Sequence, residues 1–447
     1  MNGFEIKIPL VGQKLIEKFN VFLVGGTIRD YFLGRKVNDY DLVVSNVNSF
    51  LKDFRSENPG ITIFPLSEED KEYRCVLREG IWIDVTEFKG DTIEEDLRKR
   101  DFTINAIAYD LKNKMIIDPL GGIEDLRRNI IKMTSPESFI IDPLRMLRAY
   151  RFSSVLSFEI ESLTESYIRE LSPLLSTKYV AAERIKYELF LILQSGNAGK
   201  VLSCMAESGL LFSIFPELRD MKFTSQRYYN DQNLLFHTFE AVKNLESIVK
   251  DKDYDEETRP ILLLAMLLHD IGKPRTICYD EEGNTHFYGH DKLGSEMIEE
   301  ISERMKLSKR EKNYLKKLVR FHMYPHLLAA QKVLTERAIN RYLRKMEELS
   351  FPLLDMALAD ALASPPRGEG ILPYDRFREK INKVLEEKQK IGKERLVTGY
   401  DLIAMGLKPG PIFKEILQEI DDLVAEGRVR NRQDALDYIL KKYVSSD

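Results

Sequence analysis

Asp39 and Asp41, in Asp39-Tyr40-Asp41 ahead of Leu42-Val43-Val44, are two carboxylates at strand spacing with no basic residue between them. Positions i and i+2 of a strand face the same way. Two carboxylates projecting together can hold hard divalent cations for phosphoryl transfer. The plainer alternative is a polar strand end. Asp84 adds a third carboxylate. In Ile81-Trp82-Ile83-Asp84-Val85 the aliphatic residues share one face and Asp84 takes the other. A lone carboxylate there needs a partner or a metal. Upstream, Gly25-Gly26-Thr27-Ile28-Arg29-Asp30 follows a strand and opens a helix. Glycines at such a corner let phosphates approach the backbone, and the helix N-terminus favours an anion. Arg29, on the first turn, is placed for a triphosphate.

Asp142-Pro143-Leu144-Arg145 begins a helical pattern in which Asp142, Arg145 and Arg148 share a face. A carboxylate and a guanidinium together can mimic a Watson-Crick edge, one accepting and the other donating hydrogen bonds. Asp142 also suits a helix N-cap with Pro143 at the first helical position. All six histidines fall between residues 230 and 365. His237, then His269-Asp270, then Asp360 lie on separate helical stretches, and histidine with carboxylate can hold a divalent metal. His290 and His322 are positioned to extend that set to a second metal. His286 and His326 receive no role.

These groups need two kinds of scaffold. Residues 20 to 110 alternate strand and helix signals: strands at Val21 to Val24, Val37 to Val44 and Ile61 to Phe64, and a hairpin around Glu79-Gly80. Beyond residue 140 the pattern is almost wholly helical, broken at Gly209 to Pro216, Asp280 to Asn284 and Ser364 to Gly370. Asp251 to Glu257 reads as an acidic, exposed linker. The expected fold class is α+β.

Arg98-Lys99-Arg100-Asp101-Phe102-Thr103-Ile104-Asn105-Ala106 resembles the Arg-Arg-Asp-Phe-Thr-Ile-Asn-Ala signature of class II tRNA nucleotidyltransferases and bacterial poly(A) polymerases. The glycine corner, the Asp39/Asp41 pair, Asp118-Pro119-Leu120-Gly121-Gly122 and the Asp142 to Ala149 segment extend the resemblance over about the first 200 residues. It implies a polymerase-β-like head over 1–138, a helical neck over 139–225, an HD-type body over 226–390 and a helical tail over 391–447. It further implies catalysis by Asp39, Asp41 and Asp84 with Mg²⁺, attack of an RNA 3′-hydroxyl on the α-phosphorus, and release of pyrophosphate. The implied nucleotide-binding residues are Gly25, Gly26, Arg29, Arg100, Asp101, Asn105, Asp142, Arg145, Arg148, Arg151, Glu183 and Arg184. The implied partners are tRNA lacking its 3′ CCA tail and CTP, with ATP if the whole tail is added. The ordered His237, His269-Asp270, Asp360 set resembles the HD phosphohydrolases, which implies a further phosphatase or phosphodiesterase activity.

The sequence departs from the family twice. The Glu that orients the base-reading arginine is Ile141 here, so another carboxylate would have to substitute. Only Lys89-Gly90-Asp91-Thr92-Ile93 separates Phe88 from Glu94. Full CCA-adding members carry a longer loop there, implicated in switching from C to A. The short loop resembles the CC-adding members, with full CCA addition and poly(A) synthesis as alternatives. An HD hydrolase with an inert RNA-binding head is a different-class alternative.

Composition agrees with these expectations. The net charge of −5 announces no nucleic-acid binder, but residues 98 to 151 hold eleven Lys/Arg against seven Asp/Glu, a local excess of +4. Cys75, Cys204 and Cys278 are too scattered for a metal knot, and they suggest a reducing cytoplasm. Neither a signal peptide nor a membrane-length apolar run is visible.

Overall fold

A computed structural model describes residues 6, 8–68, 71–77, 80–224, 233–364, 370–391, 396–425 and 428–444. Glu79 of the expected hairpin and most of the Ser364 to Gly370 loop lie outside the described residues. The chain divides into two compact units, Met1–Arg219 with Glu303–Lys306, and Asp220–Ser302 with Leu307–Asp447.

The first unit is built on a seven-stranded sheet. Its strands are β1 (Phe22–Val24), β2 (Asp39–Val44), β3 (Thr62–Ser67), β4 (Glu72–Val76), β5 (Trp82–Glu87), β6 (Ala108–Asp110) and β7 (Met115–Ile117), in the order β3-β4-β5-β2-β1-β6-β7. Every neighbouring pair is antiparallel except β2 and β5, which run parallel. Leu42, Val43, Val44, Ile83 and Val85 are buried, so β2 and β5 form the apolar centre of the sheet. Two features follow. The register is fixed wherever burial is this complete. The polar ends of these strands can then be aimed with precision. The sequence reading found β1 to β5 but not β6 and β7, which are three residues each and lack the glycine corner that marked β1.

The helix Leu144–Leu156 packs on the helix Ala182–Leu193. Among its described residues the second unit is helical apart from a two-stranded ribbon at Cys278–Tyr279 and Thr285–His286, whose turn is the expected polar break. Its central helix, Thr258–Leu268, is buried from Pro260 to Leu268, which is why it reads as apolar on every face. The expected linker at 251–257 is not merely exposed chain. Tyr254 donates to Asp355 at 2.7 Å and Lys252 pairs with the same buried carboxylate, fastening the segment to the body. A separate cluster of Val397, Leu402, Ile416, Ile420, Leu423, Val429, Ala435 and Ile439 makes the core of the tail. No described helix is long and apolar enough to cross a membrane.

Candidate active site and metal centre

The register of β2 against β5 places Asp41 directly opposite Asp84 and Asp39 opposite Trp82. All three carboxylates therefore stand on one face of the sheet. Thr27 holds the glycine corner to this edge. Its hydroxyl donates to the Asp39 carbonyl at 2.8 Å and accepts the Asp41 N–H at 3.1 Å. Gly25 has φ +70, and a Cβ there would lie 3.1 Å from Asp41 Oδ2 and 3.2 Å from Arg100 Nη1. Only glycine fits that turn, and the contact puts the corner against the Asp41 carboxylate.

Burial pushes the Asp41 carboxyl up to about 6, with Asp84 and Asp39 adding to the shift and Arg100 opposing it. Packing acids this closely is unfavourable without a cation, and the oxygen-only donor set suits a hard divalent ion. Asp84 already has one positive partner. Arg74, opposite it on β4, donates through Nε at 2.8 Å and Nη2 at 2.7 Å to its two oxygens.

A polar cleft of about 420 Å³ opens beside this row. Asp41, Asp84, Arg100, Asp101, Asp142, Arg145 and Arg148 line it, with Lys89 and Lys99. Arg100 pairs with buried Asp96 at 3.0 Å. Asp101 accepts from Arg148 at 2.7 and 3.0 Å and from Asn105 at 3.0 Å. Burial alone would raise the Asp101 carboxyl, but Arg148, Asn105 and Arg145 reverse this and hold it down at about 2. Arg151 lies 2.6 Å from Glu188, a buried carboxylate that also faces Arg148.

Several expectations change here. Arg29, expected to face a triphosphate, turns inward: it donates to Asp30 and to Asn105 at 2.9 Å and lies over the Phe152 ring at 5.1 Å. Arg29 and Asn105 thus brace the wall behind the cleft. Arg145 is oriented by main chain and not by a substitute carboxylate. It donates to the Lys99 carbonyl at 3.0 Å and the Arg100 carbonyl at 3.2 Å, while Ile141 is 74% exposed. Asp142 accepts from Arg184 at 2.9 Å. Glu183 is exposed, and the anchoring carboxylate of that helix is Glu188. The resemblance implied a nucleotide-binding role for Glu183 and Arg184 and did not single out Glu188. The signal lay in its spacing, because Ile185, Glu188, Leu189 and Ile192 share one buried face.

In the second unit the histidines converge. His237 Nε2 lies 2.7 Å from Asp360 Oδ1, and His269 Nε2 lies 3.2 Å from Asp270 Oδ2 and 3.5 Å from Asp360 Oδ1. His290 and His322 approach Asp270 Oδ1 at 3.5 and 3.6 Å. Ligand atoms of His237, His269 and Asp270, and those of Asp270, His290 and His322, each fall within 4.8 Å of one another. His269, His290 and His322 each place Nδ1 2.7 Å from a main-chain carbonyl. A carbonyl only accepts, so Nδ1 carries a proton and Nε2 is the atom turned to the centre, where a bound ion would take its lone pair; the His290 and His322 Nε2 atoms lie 3.1 Å apart. His269 Nε2 and both Asp270 oxygens are buried, and the imidazole nitrogens converge on that carboxylate as ligands of a shared ion would. Gly272 is required here, since a Cβ would meet the His290 carbonyl at 2.3 Å. Sequence reasoning missed two further groups. Lys273 pairs with Asp270 at 2.6 Å, and His326 Nε2 lies 3.1 Å from Asp360 Oδ2 with Nδ1 2.7 Å from the Tyr374 hydroxyl. His286 pairs with Asp280 in the ribbon instead.

Comparison with known proteins gives family matches along most of the chain. Residues 21–132 match the poly(A) polymerase head domain, 157–222 the RNA and SrmB-binding site of polymerase A, 234–364 the HD domain, and 370–439 the tRNA nucleotidyltransferase domain 2. The chain is 33% identical to the A-adding tRNA nucleotidyltransferase of Deinococcus radiodurans over 93% of this chain and 94% of that one. It is 31% identical to the CC-adding tRNA nucleotidyltransferase of Geobacter sulfurreducens over 96% and 93%. Its fold matches the CCA-adding enzyme of Thermotoga maritima complexed with tRNA, with TM-score 0.66 and 23% identity over 97% of this chain and 96% of that one. An acidic row beside an arginine-walled cleft, and a histidine-rich centre in the matching helical region, thus place this chain in the tRNA nucleotidyltransferase family, with an HD domain C-terminal to its head.

Proposed function

We propose that the protein adds CC to the 3′ end of tRNA lacking its tail, using CTP and Mg²⁺. The observation that carries the choice of CC is the connection between β5 and the helix Ile93–Arg98. It is short, and it is tied down. Thr92 caps the helix by accepting the Glu95 N–H at 3.3 Å, and the Lys89 N–H donates to buried Asp96 at 3.0 Å. A segment held this way has no slack to swing into the cleft and reshape it for a second nucleotide. In this reading the four-part division into head, neck, body and tail follows the residue bounds expected from sequence.

Asp39, Asp41 and Asp84 would hold Mg²⁺, which when bound neutralises the triphosphate and lowers the pKa of the attacking hydroxyl. Arg100 and Arg148 line the cleft as fixed positive charges for the phosphates, each kept in place by a buried carboxylate. Asp142 and Arg145 present one acceptor and one donor set to the base, as cytosine recognition requires. The RNA 3′-oxygen bonds to the α-phosphorus as the bond to pyrophosphate breaks. In the second unit the two histidine triads sharing Asp270 suit a pair of divalent ions and a phosphohydrolase activity.

The relative named as A-adding supports a second reading, in which this chain adds only the terminal A. Incubating the protein with tRNA lacking CCA and with tRNA ending in CC, each with CTP or ATP alone, separates the readings. CC addition predicts two added cytidines on the first substrate and none with ATP on the second. Extension of the second substrate by one adenosine, with no use of CTP, overturns it in favour of A addition. Two cytidines on the first substrate with CTP, together with one adenosine on the second with ATP, indicate the full enzyme.

A further inference from the structure

The row of residues that crosses the sheet at Asp84 contains a residue with no place in the chemistry above. Reading from β2 outward, the register pairs Asp41 with Asp84, Asp84 with Arg74, and Arg74 with Phe64. Direct cross-strand partners share a face, so Arg74 stands on the same surface as the acidic row. Its fork takes both oxygens of Asp84, at 2.8 and 2.7 Å. A guanidinium does not give up its charge, so it opposes any cation that shares this carboxylate.

Arg74 is not sealed in. Its side chain is 32% exposed, against 15% for Asp84. It lies over the ring of Trp82 at 5.3 Å, and Phe64, next in the row, is 40% exposed. The site thus offers a reachable fork of donors between two aromatic rings, at the side of the acidic row away from the glycine corner. A phosphate suits that fork as well as a carboxylate does, and rings beside it suit unstacked bases.

We propose that Arg74 is a latch that couples RNA binding to cation binding. A phosphate near the RNA 3′ end takes over the guanidinium, and Asp84 is then released to share a divalent ion with Asp41. The proposal rests on the reading that this head extends RNA. By linkage, RNA and cation must strengthen each other's binding equally. An enzyme wired this way assembles its full acidic site only when the acceptor strand is in place.

The test is Mn²⁺ binding to the full-length protein, followed by electron paramagnetic resonance. Binding to the head is the portion lost in Asp41→Ala. Without RNA, Arg74→Gln is expected to bind Mn²⁺ at the head roughly tenfold more tightly than wild type, within the usual range of coupling between sites. Adding tRNA that lacks its tail, with no nucleotide, should tighten wild type by a similar factor and leave Arg74→Gln unchanged. Trp82, the single tryptophan of the chain, gives a second readout. Its fluorescence should respond to tRNA in wild type and lose most of that response in Arg74→Gln. If Arg74→Gln fails to fold by its melting curve, Arg74→Lys keeps the charge but loses the fork, and should fall between the two. Equal Mn²⁺ affinity of wild type and variant without RNA overturns the latch. So does a wild-type affinity indifferent to bound tRNA. The first comparison uses no RNA, so it decides the hold on Asp84 even if the protein proves unable to extend tRNA.

Discussion

Asp101 is buried, yet it keeps its charge because Arg148 and Asn105 supply donors that water cannot. Its carboxyl is held at about 2 instead of 3.8. A depressed folded-state value means stability that is present above the unfolded value and lost as pH falls through the folded one. Asp101→Asn should therefore cost about 2 kcal/mol at neutral pH. The deficit should shrink as pH drops from about 5 toward 2, where wild type loses the same charge. Denaturant melts of both proteins across that range check this. A deficit constant with pH would mean that the Asp101 charge contributes nothing. Asp41 differs, because burial with Asp84 and Asp39 raises its carboxyl against the pull of Arg100, and in the proposed site its charge meets a cation. Asp41→Ala should abolish tRNA extension while leaving hydrolysis of a phosphodiester by the second unit intact. Loss of neither activity, assayed side by side, would refute the assignment of the head site.

At the scale of elements, the strand-to-helix corner decides where the Asp41 carboxylate points. Gly25→Ala must place a methyl 3.1 Å from Asp41 Oδ2 in a backbone conformation with φ +70. The strain is about 1–3 kcal/mol. The displaced carboxylate should lower kcat for extension by a larger factor than the modest drop in Tm would suggest. If kcat and Tm fall together with no excess loss of turnover, the corner is only a fold element. Local pattern made this corner readable, and it also made Asp39, Asp41 and Asp84 readable. Each signal spans a few residues: a glycine pair after a strand, alternation within a strand, apolar spacing around an acid. What stayed hidden depends on register between distant segments. Arg74 sits ten residues before Asp84, and although the hairpin around Glu79-Gly80 pairs their strands, the residue-for-residue register that sets Arg74 against Asp84 came only from the structure. Arg29 looked free for phosphate because Asn105, 76 residues away, was not visible as its partner. The HD ligands were legible through order along the chain, while His326 and Lys273 became informative only once their carboxylates were placed.

At the scale of the molecule, the net charge of −5 leaves RNA binding to the local excess of basic residues in the first unit. The proposed acidic site lies on β2 and β5 of the first unit and the histidine triads lie in the second, so their chemistries should be separable. Asp270 belongs to both histidine triads of the second unit, and both its oxygens are buried. Asp270→Asn should therefore remove bound metal from that unit more severely than the roughly 100-fold affinity loss that follows from mutating an outer-shell partner. Because the substitution also leaves Lys273 without its carboxylate, His322→Gln serves beside it, removing one triad without uncovering a charge. Both variants should lose phosphohydrolase activity and metal content measured by mass spectrometry. Both should extend tRNA at the wild-type rate, since the ligands for that step lie on β2 and β5. Metal binding stabilises whatever folds around it. Chelation should accordingly lower the melting temperature of wild type toward that of Asp270→Asn, and change the variant little. A parallel fall in extension, in both variants and at saturating Mg²⁺, would mean that the second unit is part of the polymerising site and that the separation of the two chemistries is wrong.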